Sequence, residues 1–119
     1  MGDVTENFSR EEFACKCGCG FTSIHIGLVH RLQLVRDMTR VPLKVLSGCR
    51  CSKHNEKEGG KPESYHLKGL ATDWCLSGDD PNTLLEKLCT KLIDNWSGGF
   101  HYYPEQRFCH CDVGPRRRW

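Results

Sequence analysis

Ser64-Tyr65-His66-Leu67-Lys68-Gly69-Leu70-Ala71-Thr72-Asp73 is the stretch on which the reading of this chain turns. It places a histidine and an aspartate seven residues apart with a glycine between them, and the run from Leu70 to Leu76 carries the aspartate on a strand. A neutral imidazole nitrogen and a carboxylate oxygen both bind zinc well, and three such protein ligands with a fourth position free define a catalytic site. The stretch therefore calls for a third ligand on an element able to lie beside that strand.

Downstream, Phe108-Cys109-His110-Cys111-Asp112 supplies one. Alternation along a strand sends Phe108, His110 and Asp112 to one face and the two cysteines to the other. A histidine in isolation is more often a packed or surface residue than a ligand, so His110 counts only in company with His66 and Asp73.

Between these two stretches, Asp80-Pro81 reads as a helix cap with proline at the first helical position. Leu84, Leu85, Leu88, Leu92 and Ile93 mark the amphipathic helix that follows. Gly98-Gly99 ends it before two aromatic-rich strands around Phe100–Tyr103 and Arg107–Val113.

Upstream, residues 52–63 are polar, with Gly59-Gly60 and Pro62, and read as an irregular surface loop. Leu43-Lys44-Val45-Leu46 reads as a strand delivering Ser47-Gly48-Cys49-Arg50 to a turn. Leu28, Leu32, Val35 and Met38 form a helical stripe within residues 23–40, ended by Pro42. Ser9-Arg10-Glu11-Glu12 is a capping box that opens a short helix, and the glycines of Cys15-Lys16-Cys17-Gly18-Cys19-Gly20 prevent its continuation.

A chain of 119 residues holds one compact domain, 1–119, with the cysteine-rich segment 1–22 packed on it. With 38% hydrophobic and 27% charged residues the composition is that of a folded globular chain. A formal charge of +2 is too small to imply nucleic acid, and Arg116-Arg117-Arg118 reads equally as a basic patch or a solvated tail. No stretch approaches the ~18 apolar residues of a membrane span. The opening residues also lack the basic start and apolar core of a secretory signal.

Nine cysteines are an odd number, which argues against a complete disulfide framework and for reduced thiols or metal thiolates. They cluster as Cys15, Cys17, Cys19; Cys49, Cys51; and Cys109, Cys111, with Cys75 and Cys89 apart. The C-x-x-C spacing usual for structural zinc is absent, so reduced cysteines packed as small hydrophobes are favoured over a second zinc site.

The two ligand-bearing stretches are similar to S-x-H-x-x-G-x-A-x-D and H-x-D-x-G-P-x-R-x-W of the zinc D-alanyl-D-alanine carboxypeptidases and related murein endopeptidases. Ser47-Gly48-Cys49-Arg50 resembles their S-G-x-R, and Gly98-Gly99-Phe100-His101-Tyr102-Tyr103-Pro104 their G-G-x-x-x-Y-P turn. The opening from Phe8 to Cys15 is similar to that of phage-encoded members.

The resemblance implies an α+β fold with a small antiparallel sheet and flanking helices. It implies one catalytic zinc on His66, Asp73 and His110, and hydrolysis of peptidoglycan stem or cross-link peptides, by a carboxypeptidase or an endopeptidase. It further implies a lysis enzyme made in the host cytoplasm and released to the wall, and a monomer is expected. Arg50 would pair with a substrate carboxylate. Ser64 would either contact substrate, orient the site, or simply shape a turn.

Several relatives carry an acidic residue three positions before the last zinc histidine, where this chain has Arg107. Asp112 is the first choice for general base, with Glu105 and His101 as alternates; Asp112 serves equally as a group that fixes a ligand. Arg107 also keeps open a non-catalytic, zinc-containing module that binds wall peptides, and the cysteines a purely structural zinc domain.

Overall fold

The computed structural model describes residues 2–77 and 81–119. Its centre is a five-stranded sheet in the order β1-β2-β4-β3-β5, built from β1 (Leu43–Ser47), β2 (Ala71–Leu76), β3 (Gly99–Tyr103), β4 (Phe108–Asp112) and the short β5 (Arg117–Arg118). Neighbouring strands are antiparallel except β3 and β5. With α1 (Ile26–Thr39), α2 (Ser52–Lys57) and α3 (Pro81–Leu92), this is the expected α+β arrangement.

Val45, Trp74 and Cys109 lie opposite one another across three strands, as do Thr72, Cys111 and Phe100. Residues paired in this way share a face. These are all buried, and with Leu28, Val29, Leu32 and Val35 of α1 and Leu85, Leu88 and Cys89 of α3 they form the core. Asp73, His110 and His101 make the corresponding row on the other face. A register shift between Val45 and Ser47 brings Ser47 opposite Asp73. One extra residue in a strand re-aims the side chain that follows it, so Ser47 joins the polar row instead of the core.

The structure departs from the sequence reading at four places. Met38 is 61% exposed. At about 100° per residue it sits about 80° round the helix from Leu28, off the buried stripe. Residues 52–57 form α2 instead of an irregular loop. No apolar stripe announces this helix; its buried anchor is Asn55, whose Nδ2 donates to Lys61 O at 2.8 Å.

Third, the arginine run, which the sequence leaves open between a basic patch and a solvated tail, is bonded back onto the fold. Arg116 Nη1 donates to Trp96 O at 2.8 Å, and Arg118 reaches Ile93 O at 2.8 Å and Gly98 O at 2.6 Å. These bonds tie the last residues to the end of α3 and the start of β3. Fourth, Leu84 and Ile93 are exposed, while Cys89 completes the buried edge of α3. The expected cap at Asp80 lies outside the described residues. The Ser9 capping box holds, with the Glu12 carboxylate accepting from Ser9 N at 2.7 Å.

Gly69 closes a short 3-10 turn, Tyr65–Lys68, with φ 68°. A Cβ at this position would also overlap Ser23 O. Left-handed backbone plus a blocked Cβ makes Gly69→Ala an expected loss of about 1–3 kcal/mol in unfolding free energy. Urea denaturation checks this, and an unchanged midpoint would refute it.

Candidate metal centre

Three elements meet at Asp73. Ser64 Oγ accepts the His66 N–H at 3.2 Å and so starts the 3-10 turn that carries His66. The bond between Arg50 N and His66 O, 2.9 Å, fastens that turn to the segment after β1. Asp73 on β2 and His110 on β4 are directly opposed in the sheet. The result brings one ligand atom each of His66, Asp73 and His110 within 4.8 Å of one another.

Hydrogen bonds on the far side of each ring decide which nitrogen faces the centre. His66 Nδ1 lies 2.6 Å from Gly48 O. A carbonyl only accepts, so Nδ1 carries the proton and Nε2 presents a lone pair, 3.3 Å from Asp73 Oδ2. His110 Nε2 is 2.9 Å from Asp112 Oδ2, and its Nδ1 is 2.9 Å from Asp73 Oδ1. With Nε2–H donated to Asp112, the space between Nδ1 and Asp73 takes either a proton or a cation. Two imidazoles oriented from behind and one carboxylate are a donor set that fits a single zinc ion.

Burial raises the Asp73 pKa, but hydrogen bonds from His110 and His66 outweigh it and hold the carboxyl well below the usual carboxylate range. Asp112 behaves alike: burial pushes it up, and His110, the Gly99 N–H and Arg117 more than reverse the effect. For His110 burial acts downward, while Asp112 and Asp73 together carry its pKa above the ordinary value.

Asp112 is fully buried and fully engaged. Its Oδ1 accepts from Gly99 N at 2.8 Å and Gly114 N at 3.0 Å, and its Oδ2 from His110 and Arg117 Nη2. Arg50 stands at the centre's edge, donating from Nη2 to Asp73 Oδ2 at 3.1 Å, from Nε to Ser47 Oγ at 2.9 Å and from Nη1 to Asn55 Oδ1 at 3.3 Å.

His101 lies on β3 directly opposite His110. Trp119 stacks on the His101 ring with centroids 5.2 Å apart and lies 5.5 Å from the His110 ring. Glu105 is exposed on the turn between β3 and β4. The sequence reading assigns no role to Asn55, Arg117 or Trp119. The last two occupy the R and W of the second motif, and that was the available signal.

Asp73 and His110 on one sheet face, His66 on the adjoining 3-10 turn and Arg50 beside them form a donor set of the kind a mononuclear metallopeptidase uses. The chain belongs to the peptidase M15 family, whose match covers residues 6–112. It is 33% identical over 104 residues to the peptidoglycan L,D-endopeptidase MepK of Escherichia coli K12, covering 82% of this chain and 55% of the relative. It is 30% identical over 95 residues to the probable peptidoglycan L,D-endopeptidase MepK of Haemophilus influenzae, covering 76% and 49%. The chain thus spans about half the length of these curated relatives. No solved structure matches it.

Proposed function

We propose that this chain is a zinc-dependent endopeptidase that hydrolyses a peptide bond in bacterial peptidoglycan, with an L,D bond as the first candidate. The observation that carries the reading is the convergence of His66, Asp73 and His110 within 4.8 Å, in a member of the peptidase M15 family. The names of the two relatives favour an endopeptidase over a carboxypeptidase. Zinc held by these residues supplies a Lewis acid that polarises a carbonyl and makes water a stronger acid near neutral pH.

The chain's own groups do the rest. Arg50 has N–H donors beyond the three it spends on Asp73, Ser47 and Asn55, and these suit a carboxylate or carbonyl of the wall peptide. Ser64 sets the turn that aims His66. Asp112 fixes the His110 ring, because a buried carboxylate with both oxygens occupied has no lone pair left to take a proton from water. To His101 we assign the role of taking that proton; its pairing opposite His110 and the Trp119 ring stacked on it support the assignment.

Asp112→Asn keeps the shape and removes the charge that fixes His110. Zinc affinity is expected to fall about 10–100-fold, the usual cost of losing such a partner. Competition with a chelator of known affinity measures it, and an unchanged affinity would remove Asp112 from this role.

Purified peptidoglycan incubated with the protein tests the function, with new termini read by mass spectrometry before and after chelation and zinc restoration. Zinc-dependent release of L,D-cleaved products supports the peptidase. Retained zinc without cleavage of any wall chemotype favours a peptide-binding module, the reading that Arg107 in place of an acid supports.

A further inference from the structure

We propose that Cys15, Cys17, Cys19 and Cys51 hold a second zinc ion in a structural site separate from the histidine–aspartate centre. Their four sulfurs lie within 4.8 Å of one another. The closest separations are 3.4 Å for Cys15–Cys17, 3.6 Å for Cys17–Cys51 and 3.9 Å for Cys15–Cys51. Zinc–thiolate bonds of about 2.3 Å in a tetrahedron put neighbouring sulfurs about 3.8 Å apart, whereas a disulfide needs about 2.05 Å. The three separations bracket the tetrahedral edge.

Exposure sets Cys17 and Cys19 apart from the cysteines of the core. Cys49, Cys89, Cys109 and Cys111 are buried in the core and fit the reading of free cysteine as a small hydrophobe. Cys17 and Cys19 are exposed and gain nothing from packing. Cys51 stands at the start of α2, 36 residues after Cys15. The convergence of exposed and distant thiols calls for something that binds them.

The backbone is shaped to present the thiols. Cys15 N donates to Phe21 O at 2.9 Å and Gly18 N to Cys15 O at 3.2 Å, closing a tight loop. Within it Gly18 takes φ 81° and Gly20 φ 91°, turns that glycine makes without strain. The Cys51 N–H donates to Cys15 Sγ and the His54 N–H to Cys51 Sγ, each at 3.4 Å, and such donors stabilise charge on sulfur. Four thiolates and one zinc leave two negative charges, and Lys16, Lys53 and Lys57 line the same cavity.

The ion would pin the N-terminal loop to the residue next to Arg50. Cys49 N already donates to Phe13 O at 2.8 Å, so the loop and the edge of the catalytic centre are joined twice. Local sequence spacing hides the site because its fourth ligand is supplied by another element.

Metal analysis of the intact chain, grown with zinc, is expected to give two zinc ions per chain. His66→Ala is expected to retain one, and Cys17→Ser with Cys19→Ser is expected to retain the other. Cobalt substitution adds a signature: intense thiolate-to-cobalt charge-transfer absorption that survives His66→Ala and disappears in the cysteine variant. If the cysteine variant fails to fold, mercurial titration of the intact chain serves instead, with one zinc released as four thiols react. A single zinc that is lost entirely with His66→Ala overturns the proposal. So does iron at the four thiols in place of zinc, or a disulfide among them shown by intact mass. Two zinc ions in a chain that cleaves no wall peptide leave this site standing and count only against the peptidase.

Discussion

His66→Ala is expected to remove the zinc of the histidine–aspartate centre and lower kcat/KM on peptidoglycan by at least ~1,000-fold, equivalent to ~4 kcal/mol of lost transition-state stabilisation. His66 is 3% exposed, with Nδ1 spent on Gly48 O and Nε2 aimed at Asp73. Alanine supplies neither atom, and among the described residues no further His, Cys, Asp or Glu joins His66, Asp73 and His110 in a cluster within 4.8 Å. The variant should also lose some stability, because Gly48 O is left without its buried donor. Metal content and turnover measured on the same preparation separate the two effects. A variant that keeps its full zinc content would show that the ion is held elsewhere.

The cluster of His66, Asp73 and His110 was legible in the sequence because each residue sits in a stretch with a local signature. His66 and Asp73 sit in one ten-residue stretch with a glycine whose left-handed conformation the fold uses, and strand alternation alone turns His110 and Asp112 away from Cys109 and Cys111. The α+β arrangement followed from the resemblance. What stayed hidden depends on contacts between distant segments. Asn55 lies in a polar stretch with no periodicity to mark a helix, yet it is buried and holds Arg50. The arginine run looks like a solvated tail until its guanidinium groups are seen capping carbonyls of residues 93–98. Ser47 faces the site only because the register shifts beside Leu46. His101 falls in the strand expected around Phe100–Tyr103, but only the pairing of β3 with β4 puts it opposite His110.

That pairing makes the identity of the proton acceptor testable. His101→Ala is expected to lower kcat about 100–10,000-fold, the usual contribution of a general base, with zinc content and KM unchanged. The split matters, because a residue that merely supported the metal would reduce zinc occupancy together with turnover. Glu105→Gln is the companion experiment. A carboxylate on the exposed turn contributes nothing unless it comes within hydrogen-bond reach of the attacked bond, so its removal is expected to change kcat by less than about twofold. If Glu105→Gln instead abolishes turnover and His101→Ala does not, the turn between β3 and β4 must fold over the centre when substrate binds. The base would then be a residue that substrate brings into place, and His101 would be left as the surface on which Trp119 packs.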